Sequence, residues 1–215
     1  GLGKTLMERI VDSKPEVVTL LDTQYRMNEE IMRFSSSWFY DGKVKAAPIT
    51  AHRGILDYDT PIEWVDDVAN DDETVGETFV GETFGRINKV EARQVMELLQ
   101  AYFEKIGKQR IIDESIDVGI ISPYRAQVQY LRHLIKKEAF FKPFRHLLSV
   151  NTVDGFQGQE RDVIIVSLVR SNNDGQIGFL RDLRRMNVAM TRARSKLIII
   201  GDHETLAHHE FYKKL

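Results

Sequence analysis

The chain has 215 residues, 42% hydrophobic and 29% charged, with a formal net charge of −2. That is the make-up of a globular domain with a sizeable core, not of a disordered or fibrous chain. It has no cysteine, which excludes disulfides and thiolate metal sites, and no apolar run approaches the roughly 18 residues of a membrane helix.

The chain opens at Gly1 with no initiating Met and no signal peptide. The expectation is a piece of a longer intracellular protein, cytoplasmic first and nuclear second, with no membrane partner and no metal ligands of its own. The small net charge hides an asymmetry. From Asp57 to Glu91 eleven acids face only Arg86 and Lys89, whereas from Arg170 to Lys196 six arginines and a lysine face Asp174 and Asp182. A basic face can coexist with a neutral total.

Gly1-Leu-Gly-Lys-Thr5 has the look of the end of a phosphate loop, but the full pattern needs an earlier glycine after a strand. The plainer reading is a capped amphipathic helix from Leu6 to Asp12, followed by a buried strand, Val17 to Leu21. Asp22 to Asn28 is a polar turn, and Asn28 can cap a helix from Glu29 to about Tyr40. Ile62 to Val65 reads as a strand. Residues 66–85 read as an acidic surface loop carrying a tandem Val-Gly-Glu-Thr-Phe, at positions 75–79 and 80–84, too short a period for a repeat architecture.

Asn88 caps an amphipathic helix through Phe103. Val118 to Ile121 is a strand, stopped by Ser122 and Pro123, and a helix from Tyr124 to Lys137 follows. Ser149 to Val153 is a short strand, 154–160 a loop, and Val163 to Val169 a strong strand. After a turn at 172–175 come a helix from Asp182 to Ala193, a strand from Leu197 to Ile200 and a final helix from His203 to Leu215. The pair His208 and His209 reads as a solvated helix face. Uniformly aliphatic strands alternating with helices predict an α/β fold with a mainly parallel sheet between helical layers. Ligands of such folds gather beyond the carboxyl ends of the strands. The polar segments 24–26, 122–125 and 152–160 are expected at that edge.

Arg184, Arg185, Arg192 and Arg194 crowd into eleven positions with only Asp182 and Asp202 nearby in sequence. The planar guanidinium fork suits carboxylate or phosphate, and the scarcity of local acids favours phosphate. Tyr25 and Arg26, read alone, fit a buried aromatic with an ion-paired neighbour, and Thr152 fits a strand-end cap as well as a phosphate contact.

Four segments in order, Thr23-Gln-Tyr-Arg-Met27, Ile121-Ser-Pro-Tyr-Arg-Ala-Gln127, Thr152-Val-Asp-Gly-Phe-Gln-Gly-Gln-Glu160 and Asn187-Val-Ala-Met-Thr-Arg-Ala-Arg194, change that balance. Together they closely resemble the second RecA-like domain of superfamily 1 helicases of the up-frameshift, senataxin and immunoglobulin-mu-binding-protein type. The resemblance runs from about Leu6 to Asp202. It implies a RecA-like three-layer sandwich, with 1–215 as one C-terminal motor domain whose Walker A and B motifs lie in a first RecA-like domain upstream. Gly3-Lys4-Thr5 is then a decoy. ATP is the implied cofactor, with Mg2+ held mainly by that first domain.

By the same resemblance Arg192 matches an arginine finger, Arg26 a second phosphate-facing arginine and Tyr25 a residue packed on adenine. Gln157 and Glu160 match the segment between nucleotide and strand, Glu160 as an acceptor for ribose hydroxyls. Gly155 and Gly158 would allow close approach to both ligands. Pro123, Tyr124, Thr152 and Asp154 match the contacts to a single strand of DNA or RNA, along which the family moves 5′ to 3′. An isolated chain of this kind is expected to be inactive as an ATPase. The alternative is a non-catalytic RecA-like module that binds nucleic acid or a protein. Arg184, Arg185 and Arg194 receive no role: service to phosphates and pairing with Asp182 and the acidic loop both stay open.

Overall fold

Strands of unbroken aliphatics must be covered on both faces, and the sheet of this chain is. The computed structural model describes residues 23–24, 28–33, 45–46, 54–57, 59–81 and 85–215. The expected helix 6–12 and strand 17–21, together with Tyr25, Arg26 and residues 34–40 of the next helix, lie outside these.

The strands are β1 (Thr23–Gln24), β2 (Lys45–Ala46), β3 (Ile62–Asp66), β4 (Thr78–Val80), β5 (Gly85–Ile87), β6 (Val118–Ile121), β7 (Leu148–Asn151), β8 (Arg161–Ser167) and β9 (Ala193–Gly201). Among the described residues, five form one sheet in the order β3-β9-β8-β6-β7, every neighbouring pair parallel. The helices are α1 (Lys89–Ile106), α2 (Lys108–Asp113), α3 (Arg125–Lys137), α4 (Leu183–Met190), α5 (His203–Leu206) and α6 (Glu210–Lys214).

Alternate residues of each strand serve two cores, as a period of two requires. Val163, Ile165, Ile198 and Ile200 pack with Val95 and Leu99 of α1 and with Leu131 and Ile135 of α3. Ile164, Val166, Leu197 and Ile199 pack with Ile31, Met186, Ala189 and Phe211 on the opposite face. The fold is the expected α/β, RecA-like sandwich, a mainly parallel sheet flanked by helices. Among the described residues no helix is long and apolar enough to cross a membrane.

Element ends differ from expectation in informative places. The helix predicted over 182–193 stops at Met190: Thr191 turns to ψ 2°, and the Arg192 amide bonds the Ala189 carbonyl three residues back (3.3 Å) in place of four. The strand that follows therefore starts at Ala193 and runs nine residues. The final helix is broken into α5 and α6, where the His209 ring accepts from the Phe211 amide to start the second piece. The acidic stretch 66–85 is not a solvated loop throughout. Its end forms an antiparallel hairpin, β4 with β5, and Glu77 at the hairpin's foot is drawn inward by two arginines, Arg170 (2.7 Å) and Arg86 (3.2 Å). Arg170, distant in sequence and invisible to local composition, supplies the shorter of the two pairs.

Asn88 caps α1 as expected, accepting from the Glu91 amide. The Glu91 side chain is fully buried and accepts from Ser167 Oγ and the Val169 amide, both at 2.9 Å, and from Asn88 Nδ2 at 3.1 Å. Asn88 Nδ2 also donates to Asp67 (2.6 Å) and to the Val169 carbonyl (3.0 Å). Val169, a β-branched residue at φ 70°, is thus gripped at both its amide and its carbonyl. Such a conformation costs on the order of 1–3 kcal/mol and persists only where the surroundings hold it.

Burial, and then the nearby charge of Asp67, push the Glu91 carboxyl well above the usual carboxylate range. A carboxyl whose folded pKa is raised stabilises the fold below its unfolded pKa and loses that contribution as pH rises through the folded pKa. Glu91→Gln should therefore flatten the pH dependence. Compared with wild type, the variant gains unfolding free energy as pH rises from the ordinary carboxylate range up to the raised folded pKa, with a slope of at most about 1.4 kcal/mol per pH unit. Urea unfolding followed over a pH series reads this directly; parallel pH curves would refute it.

Candidate nucleic-acid groove and arginine edge

Beyond the carboxyl ends of β6 and β7 lies a cavity of about 740 Å3. Pro123, Tyr124 and Thr152, with Asp154 of the following 3-10 turn (154–156), line one side, and Val80, Gly81, Gly85 and Arg86 of the hairpin line another. Arg125, Gln129, Phe179 and Arg185 complete it. The four residues expected to meet a nucleic-acid strand thus share one groove. Three arginines and two aromatic rings line it, the combination that tracks a phosphate backbone and offers faces to bases.

Tyr124 sits at the back of the groove, 6% exposed, its ring covered by Phe179 at 5.4 Å between centroids and 26° between planes. Its hydroxyl accepts from Arg170 Nη1 at 3.3 Å. Arg170, itself buried, also forms an ion pair with Glu77 at 2.7 Å that is aligned too poorly for a hydrogen bond. One guanidinium therefore ties the hairpin to the groove. The turn at Val169 aims it there, since the Arg170 amide donates to the Leu168 carbonyl (2.8 Å), two residues back. At the mouth, Arg185 bridges Asp154 (3.2 Å) and Asp182 (3.6 Å).

The remaining residues gather at the opposite edge. A parallel strand of the same sheet must be entered from its amino end, so the chain leaving β7 at Asn151 has to return along the sheet, past β6, before starting β8 at Arg161. Segment 152–160 makes that return, a distance of about 17 Å at ~3.3 Å per residue over positions 117–122 of the neighbouring strand. Its far end meets the start of β9: the Arg161 amide donates to the Arg192 carbonyl (2.9 Å), and Arg192 Nη1 donates to the Gln159 carbonyl (3.4 Å). Arg192 Nε donates to the Val188 carbonyl (3.1 Å) and Nη2 to Thr191 Oγ1 (3.3 Å), which fixes the plane of its fork.

Two residues on, Arg194 donates to Asp117 (3.0 Å), Asp162 (3.1 Å) and Glu160 (3.3 Å). Burial alone would lower its pKa, but bonding to Asp162 and the charges of Asp162 and Asp117 hold it above the usual arginine value. Burial raises the Asp117 carboxyl despite the bond it accepts from the Asp162 amide. The Asn28 amide donates to the Arg194 carbonyl (3.0 Å), tying the helical turn at 29–33 to the last motif.

The polar segments therefore do not converge on one sheet edge, as the sequence led us to expect. Pro123, Tyr124, Thr152 and Asp154 lie at the carboxyl edge, whereas Glu160 and Arg192 lie at the amino edge. Of the arginines left without a role, Arg194 takes carboxylates from two other strand starts, and Arg185 pairs with Asp182, one of its two readings, and with Asp154. Gly158 adopts φ 74° with open space around it, while Gly155 lies against the Asn151 side chain. Arg170, Glu77 and Phe179 escaped the sequence reading. An arginine buried by a partner 93 positions away leaves no local signal, and an exposed phenylalanine has no period to betray it.

A family model described as an AAA domain matches residues 2–204. An uncharacterized ATP-dependent helicase of Methanocaldococcus jannaschii is 38% identical over 223 residues, covering 100% of this chain and 31% of the relative. DNA polymerase alpha-associated DNA helicase A of Saccharomyces cerevisiae is 39% identical, covering 96% and 31%. The regulator of nonsense transcripts 1 homolog of Neurospora crassa is 33% identical, covering 100% and 19%. The chain spans a third or less of the length of these relatives. It belongs to the AAA domain family and, within it, to the superfamily 1 helicases of the up-frameshift, senataxin and immunoglobulin-mu-binding-protein type.

Proposed function

We propose that this chain is the second half of an ATP-driven motor on single-stranded nucleic acid, DNA or RNA. The observation that carries this reading is segment 152–160, which begins in the groove with Thr152 and Asp154 and ends against Arg192. A movement at either end is felt at the other.

Hydrolysis builds charge on the γ-phosphate oxygens as water attacks and ADP leaves, and a preorganised guanidinium stabilises that charge. Arg192, its fork braced by three neutral acceptors, is the arginine finger, with Arg26 as the second cation and Tyr25 against adenine. Gln157 and Gly158 complete the nucleotide side, with Glu160 toward the ribose. ATP and its Mg2+ are held mainly by the first RecA-like domain of the whole protein. This chain's part is cationic, through Arg192 and Arg26. The finger is in place only when the two domains close, which ties hydrolysis to a change in the grip on the strand. In the groove, Thr152 and the backbone around Pro123 and Tyr124 bind phosphates without reading sequence.

The test is activity by halves. The 215-residue chain alone should release no phosphate from ATP above background, while the same chain joined to its Walker-bearing domain should hydrolyse ATP and respond to added single strand. Turnover by the isolated chain would overturn the division of the site, and strand-independent turnover by the joined protein would overturn the coupling.

A further inference from the structure

We infer that Phe179 is a nucleobase-stacking platform, its ring backed by Tyr124; this rests on reading the groove as strand-binding. Phe179 lies in a 3-10 turn (178–181) and is 64% exposed, although the ring beneath it is buried. An aromatic gains most by being covered, so one held face-out over a groove is available to a ligand that brings its own flat apolar face. Every nucleobase has such a face, and stacking on it is indifferent to sequence.

The ring is also held in place. Gly178 sits at φ 52°, where a side chain would be strained, and a Cβ there would lie 2.1 Å from Arg170 Nη1 and 3.0 Å from the Tyr124 hydroxyl. The turn is therefore pressed onto the same Arg170–Tyr124 pair that anchors the hairpin. A platform whose backing ring is immobilised loses little freedom when a base settles on it. Arg125, in the lining of the same cavity, suits a phosphate beside that base.

Two strands with the same number of phosphates separate stacking from backbone contact: an oligothymidylate and an abasic oligonucleotide of equal length, each titrated into the protein at its full natural length. Phe179→Ala should weaken oligothymidylate binding about tenfold and leave abasic binding nearly unchanged. Phe179→Tyr should restore it. Phe179→Trp supplies an independent readout, because its fluorescence should be quenched by oligothymidylate and not by the abasic strand. An equal loss on both strands, no loss on either, or an unquenched tryptophan with binding intact would overturn the platform. Failure of wild type to bind either strand would instead overturn the strand-binding reading, and the platform with it.

Discussion

Arg192→Ala, made in a protein that joins this chain to its nucleotide-binding domain, should lower kcat for ATP hydrolysis by about 10³-fold or more, the effect of removing an arginine finger. Nucleotide affinity should change little, because the finger acts on charge that develops in the transition state and not on the ground state. Arg192 also donates to the Val188 and Gln159 carbonyls and to Thr191 Oγ1, and losing such bonds costs about 0.5–1.5 kcal/mol each. Thermal unfolding of the variant must therefore be followed alongside. The expected pattern is a modestly lowered Tm with phosphate release nearly abolished. Arg192→Lys keeps the charge but not the fork, and should recover only a fraction of the rate. Hydrolysis that survives Arg192→Ala with the strand bound would place the finger elsewhere.

Arg194→Met should be costly in a different currency, stability. One guanidinium serves Asp117, Asp162 and Glu160, with side chains between 24% and 37% exposed. Breaking a fully buried pair by removing one partner costs roughly 3–5 kcal/mol. Partial exposure screens the carboxylates left behind, so about 2–3 kcal/mol at neutral pH is expected. The carboxyl of Asp117 is already raised by burial, and without Arg194 it rises further. The deficit is therefore greatest where the carboxylates are ionised and shrinks as pH falls through the raised pKa, which urea unfolding near neutrality and under mild acid will resolve. A deficit that stays constant across that range would mean the cost is one of packing. Because the Asn28 amide bonds to the Arg194 carbonyl, the variant also tests whether the helical turn at 29–33 depends on this cluster for its position.

These two arginines, two positions apart and alike in sequence, show what was legible before the fold and what was not. The aliphatic runs of β6, β8 and β9 announce a buried sheet because only a helix-covered strand tolerates apolar residues on both faces. The cap at Asn88 and the stop at Pro123 are equally local. The motif residues Pro123, Tyr124, Thr152 and Asp154 were recognisable together, and they line one groove. Nothing in the local composition could separate Arg192 from Arg194. The acids that claim Arg194 are delivered by the register of neighbouring strands, from Asp117 and Asp162, 77 and 32 positions away. Local counting of acids left these out and favoured phosphate for both.

The acidic stretch follows the same rule. Its charge and glycines read as a solvated loop, yet Glu77 is drawn into a buried pair with Arg170 and the hairpin becomes a wall of the groove. By itself the sequence determined what hydrophobic period and short-range bonding determine: the central strands, the helices that begin at Asn88 and end at Lys137, and the family through its four motifs. The tertiary structure alone decided which charges are neutralised and which further residues, Phe179 and the hairpin among them, line the groove. Those depend on contacts between segments tens of residues apart, whose energies exist only once the parallel sheet has set its strand order.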